Sequence, residues 1–138
     1  MPVTREFTVH LKDRAGTLGK VCRALADRGV NILALHSHQG GTKSVTRFIV
    51  DNPDAAKAAF DADRLTHSQT DVLLLKLPHR PGEIARVASI LGESDININY
   101  AYCGLEAGTN TPLVFFGVAD VARAAALLDK PSAAAAKT

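Results

Sequence analysis

Residues 13–35, DRAGTLGKVCRALADRGVNILAL, and residues 79–101, HRPGEIARVASILGESDININYA, are two copies of one pattern set 66 positions apart. Arg14, Gly16, Val21, Leu25, Asn31 and Ile32 recur as Arg80, Gly82, Val87, Leu91, Asn97 and Ile98, and Leu18 recurs as the apolar Ile84. In each copy the apolar residues fall at i, i+3, i+4 and i+7: Leu18, Val21, Cys22 and Leu25, then Ile84, Val87, Ala88 and Leu91. That spacing is one face of an α-helix. Burying such a quartet is worth about 4–10 kcal/mol as an upper bound. Each helix must therefore lie on something, and the flanking sequence supplies a sheet.

Before the first helix, Phe7, Val9 and Leu11 alternate with Thr8, His10 and Lys12, and before the second an apolar run occupies 72–77; both read as strands. After each helix the chain turns, at Gly29 or at Ser94-Asp95, and enters a further apolar stretch, 30–35 or 96–102. Third strands follow at 45–50 and 113–118, reached through Gly40-Gly41-Thr42 and the turn-rich 106–111. Asn52-Pro53-Asp54 then starts a helix, with Asn52 as cap and Pro53 in the first turn, and Asp120 caps another carrying Val121, Ala124, Ala125 and Leu128. The order is βαββα, twice.

Residues 65–69 supply a final strand to the first unit, which gives the ferredoxin-like βαββαβ topology: an antiparallel sheet with helices on one face. The second unit lacks a clear final strand, so one of its edges is left for 65–69 or another chain to cover. The expected fold is α+β, with one unit in residues 1–69, a second in 70–130, and a small-residue tail, 131–138, that should be disordered.

Composition narrows the function. Apolar residues make up 46% of the 138 and charged residues 22%, the balance of a globular protein with a real core. A net charge of +2, with bases interspersed among acids as in Arg5-Glu6, Lys12-Asp13 and Asp27-Arg28, gives no coherent field for nucleic acid or an anionic membrane. RNA recognition on this fold class would also need stacking aromatics, and only 5% of residues are aromatic. Residues 1–7 carry Arg5 and Glu6 where a signal peptide needs an apolar stretch, which points to a cytoplasmic protein. Cys22 and Cys103 stand in no CxxC or metal-ligand spacing and read as structural. His36 and His38 share a strand face with His10 nearby, but no third ligand is spaced to join them, so no metal or cofactor is implied. His67 reads as a surface residue, and Tyr100 and Tyr102 share one strand face, as core or as ligand wall. No Ser or Cys has an activating motif, so catalysis is not expected.

The loop entering each repeated helix, DRAGTL or HRPGEI, has glycine where the chain turns sharply. Unpaired N–H groups at such a helix start suit a carboxylate, and Asn31 and Asn97 add an amide that donates and accepts. A carboxylate beside an amine is what an amino acid presents. With the xRxGx[LI] loop, the helix and the [VI]NI strand start, the chain resembles the ACT domain family over about 5–128, as a stand-alone tandem. The resemblance implies a regulatory protein that binds a free amino acid at the junction of two units, usually as a homodimer and with output through an enzyme or regulator partner. It implies ligand contacts from Asp13, Ala15, Gly16, Leu18 and Asn31, and from His79, Pro81, Gly82, Ile84 and Asn97. The first copy departs from the family pattern, with Ala15 for proline and Asp13 for a neutral polar residue. Because Asp13 should repel a carboxylate, the second loop is the expected anion-binding half. The alternative is a structural module whose units pair by sheet edges without ligand.

Overall fold

The computed structural model describes residues 2–106 and 108–129; the expected tail at 131–138 lies outside them. The elements run β1 (Val3–Lys12), α1 (Thr17–Asp27), β2 (Ile32–Gly40), β3 (Lys43–Val50), α2 (Pro53–Ala62), β4 (Thr66–Lys76), α3 (Glu83–Glu93), β5 (Ile98–Leu105), β6 (Pro112–Val118) and α4 (Val121–Asp129). They form two compact units, Arg5–Thr70 and a second that joins the described residues of Met1–Thr4 to those of Asp71–Thr138. We call these the N-terminal and C-terminal units. None of the described helices is long and apolar enough to cross a membrane.

In the N-terminal unit the strand order is β2-β3-β1-β4. β3 is antiparallel to both neighbours, with Phe48 opposite Phe7 on β1 and Leu35 on β2. Phe7, Val9, Leu11, Phe48 and Val50 present one sheet face to Val21 and Leu25 of α1 and to Ala56, Ala59 and Phe60 of α2. Of the stripe announced by the periodicity of α1, Val21 and Leu25 are buried and Cys22 half-buried, while Leu18 is exposed. Phe60 packs edge-on to Phe7 at 5.3 Å between ring centres. Asn52 caps α2, its Oδ1 accepting from the Ala55 amide at 3.1 Å, and Pro53 occupies the first turn, where no N–H is needed.

The C-terminal unit repeats the plan with order β1-β4-β6-β5. Leu73, Leu75, Leu77, Val114, Phe116 and Val118 face Val87 and Leu91 of α3 and Ala124 and Ala125 of α4. Asp120 caps α4 by accepting from the Arg123 amide at 3.1 Å. The edge of β4 is covered by the beginning of β1: the Leu74 amide donates to the Pro2 carbonyl at 3.0 Å, and Val3 packs against the core. Neither 65–69 nor a second chain fills this place. Residues 66–76 form one unbroken strand, where the sequence suggests two short ones.

Candidate functional site

Each repeated loop carries its glycine at the N-cap in the left-handed region, Gly16 at φ 89° and Gly82 at φ 91°. An L side chain disfavours that conformation, and here it aims the chain from the strand end into the helix without a side-chain cap. A Cβ at either glycine would meet nothing within 4 Å, so both turns face open space.

In the C-terminal unit the loop overhangs a cleft of about 710 Å³. Its walls are His79, Arg80, Pro81, Gly82, Glu83 and Ile84 on the loop side, and Leu77, Cys103, Leu105, Pro112 and Val114 on the sheet side. Strand register explains the second set. Cys103 stands opposite Val114 and Leu105 opposite Pro112, and Val114 faces the helices. Because β5 ends the strand order, these residues emerge beside the helix start and are not covered by it. Ile84 is 50% exposed and Leu105 58%, apolar surface left to solvent beside the cleft. Cys103, read from sequence as structural, is exposed. Charge gathers around Glu83, which is buried yet paired with Arg80 at 2.8 Å and Arg86 at 3.1 Å. The hydrogen bond from Arg80, then that from Arg86, holds its carboxyl below the usual range.

The N-terminal unit handles the corresponding positions differently. Asp13 turns its carboxylate onto strand residues, accepting from Gln39 Nε2 and, at 3.4 Å, from Ser44 Oγ. Ser37 and Thr46 hydrogen-bond to each other at 2.8 Å. A smaller cleft, about 450 Å³, opens on the other side of the loop between Lys12, Arg14, Lys20 and Asp63. Asp13 keeps its charge under these two neutral donors, while Lys12, Arg14 and Lys20 line the N-terminal cleft.

Of the residues singled out in the sequence, Ala15 and Gly16 line the N-terminal cleft, and His79, Pro81, Gly82 and Ile84 line the C-terminal one. Leu18 is 37% exposed on the first turn of α1. The asparagines are not brought to the loops of their own units. Asn31 follows the far end of α1, where its backbone N–H donates to Asp51 Oδ1 at 2.9 Å, and an eleven-residue helix spans about 16 Å. Asn97 likewise follows α3 and donates to Asn99 Oδ1 at 2.9 Å.

Other side chains also fall differently. His67 is not a surface residue: its side chain is 12% exposed, packs near Phe7 and Phe60, and bonds Asp61 at 2.6 Å. Tyr102 stacks on Phe115 at 5.0 Å and Tyr100 lies over Gly117, which places neither in the cleft wall. His36 and His38 lie ring against ring at 5.3 Å, and among the described residues no three His, Cys, Asp or Glu converge as a metal site. The residues the sequence reading missed, Leu77, Cys103, Leu105, Pro112 and Val114, carried one signal: alternation at 103 and 105 across a turn from 112 and 114, which register turns into one wall.

Two βαββ-type units, each with a glycine-started helix beside a cleft, define an α+β protein of the ferredoxin-like fold class. Residues 6–61 match the ACT domain family model. The crystal structure of a Bacteroides thetaiotaomicron protein superposes with a TM-score of 0.86 at 24% identity, covering 95% of this chain and 90% of that one. The ligand-free regulatory subunit of aspartate kinase from Thermus thermophilus gives 0.59 at 16% identity, covering 94% and 97%. Its counterpart from Thermus flavus gives 0.59 at 16%, covering 94% and 96%. These likenesses establish the shared fold. No curated protein matches the sequence.

Proposed function

We propose that this is a non-catalytic regulatory protein that binds a free amino acid, or a similar small carboxylate, at the loop that opens a repeated helix. The carrying observation is the cleft of about 710 Å³ beneath the HRPGEI loop, a volume in the range of small-molecule sites. Apolar walls with a few polar groups at the rim suit a small amphiphile. The ACT match and the aspartate kinase regulatory subunits of like fold support the same reading. We further read the protein as cytoplasmic and dimeric, passing ligand occupancy to an enzyme or regulator partner.

Thermal-shift measurement against the twenty amino acids tests this. A ligand at a hundred times its Kd adds about 2.7 kcal/mol of stability. At least one amino acid should raise the melting temperature, and Gly82→Val, which forces a β-branched side chain to positive φ, should reduce that shift. No shift with any amino acid would sink the reading. A second reading, assembly through sheet edges, is favoured by Leu33 and Leu35, both more than 40% exposed on β2 at the end of the strand order. Sedimentation of Leu35→Lys separates it, since loss of self-association without loss of ligand binding would make the edge an assembly surface alone.

A further inference from the structure

The two units offer unlike chemistry at equivalent places. In the C-terminal unit the pairs Cys103/Val114 and Leu105/Pro112 make an apolar wall beneath the loop. The matching pairs of the N-terminal unit are Ser37/Thr46 and Gln39/Ser44. These are polar and bonded among themselves or to Asp13. Asp13, in the place of His79, thus straps its loop to the strands where the second copy stays open. At the rim of the open cleft, Arg80 and Glu83 set a guanidinium and a carboxylate 2.8 Å apart. Glu83 is buried and already shared by Arg80 and Arg86, so the exposed Arg80 is the charge offered to a ligand carboxylate, while the wall behind it suits an apolar side chain.

From this contrast, and resting on the function proposed above, we propose that the chain binds one amino acid of apolar side chain in its C-terminal unit. The equivalent seat in the N-terminal unit is closed by the Asp13 strap. Charged and hydroxylated amino acids are rejected because the Cys103, Leu105 and Val114 wall would strip their polar groups of water without returning hydrogen bonds.

Cys103 reports on occupancy directly, because its exposed thiol lies in the wall. The full chain is alkylated with iodoacetamide, and Cys103 and Cys22 are followed separately by mass spectrometry. L-leucine, L-isoleucine, L-valine, L-methionine and L-phenylalanine are compared with L-aspartate, L-lysine and L-serine. At ten times its Kd an apolar amino acid should slow Cys103 alkylation roughly tenfold and leave Cys22 unchanged. Calorimetry should give one site per chain. Leu105→Asn and Ile84→Asn, both at exposed positions, should abolish the binding while the ligand-free melting temperature stays as it was. If a polar amino acid raises the melting temperature without protecting Cys103, or if two sites per chain titrate, this inference falls and the general amino-acid reading stands. If none of the twenty binds, both fall.

Discussion

Glu83 shows how one residue separates two copies of a motif. Its counterpart, Thr17, turns its hydroxyl to the Arg14 carbonyl at 3.0 Å, whereas Glu83 gathers Arg80 and Arg86 around a buried carboxylate. Its folded pKa is lowered, as is that of Asp61, chiefly through hydrogen bonds from Arg80 and His67 respectively. A depressed carboxyl contributes stability that is fully present above its unfolded pKa, about 4, and is lost as pH falls through the folded value. Urea midpoints should therefore decline below about pH 4, and the decline should be shallower in Glu83→Gln and in Asp61→Asn. A midpoint in either variant that tracks the parent down to pH 2.5 would remove that ion pair from the account. At this scale the sequence made the loops legible, because glycine at a forced turn and a repeated Arg-x-Gly leave few readings. It could not show that Asp13 bonds Gln39 and Ser44, since partners 26 and 31 residues away depend on strand register that no local pattern carries.

Elements were easier to read than contacts because their signals are local. Asn52 and Asp120 cap the helices they were expected to cap, and the stripes of α1 and α3 bury Val21 and Leu25 and then Val87 and Leu91. Truncating the cap tests the first of these. Asn52→Ala leaves the Ala55 amide without its side-chain acceptor, and should cost about 1 kcal/mol. Asn52→Asp should retain nearly full stability, and an equal loss in both variants by chemical denaturation would show that the cap hydrogen bond is not what Asn52 supplies. β4 escaped the sequence reading for an opposite reason. Thr70 and Asp71 are both exposed and polar in mid-strand, so a local reading breaks the strand there. Backbone pairing does not depend on side-chain polarity, and the strand continues to Lys76. The cleft wall was hidden in the same way: Cys103 and Leu105 look like any alternating strand residues until β5 is known to end the strand order.

For the molecule as a whole, the duplication suggested two successive blocks of chain, but the units exchange segments. β1 gives its first residues to the C-terminal unit and the rest to the N-terminal unit, while β4 divides near Thr70. Periodicity cannot reveal this, because Val3 and Thr4 sit in the same run of strand as Phe7 and Val9. The exchange has a measurable consequence. Removing residues 1–4 takes the Pro2 carbonyl from the Leu74 amide and Val3 from the C-terminal core. A lost hydrogen bond of about 1 kcal/mol and a half-buried valine of about 1–2 kcal/mol together predict a loss of about 2–3 kcal/mol. That loss should fall unequally. Hydrogen exchange should accelerate by roughly thirty- to a hundredfold at amides that stay paired between β4 and β6, since each 1.4 kcal/mol is a factor of ten where exchange follows the equilibrium opening. It should accelerate by at least as much at Leu74, which loses its acceptor. Amides of β3, such as that of Phe48 between β1 and β2, should keep most of their protection. Equal acceleration at both places would mean that the units unfold as one body, and no acceleration at Leu74 would mean that residues 2–4 do not secure the edge of β4. An exposed β4 edge also accepts other strands, so the truncated chain should associate as its concentration rises, and a short peptide of sequence PVTRE added in excess should reverse both effects.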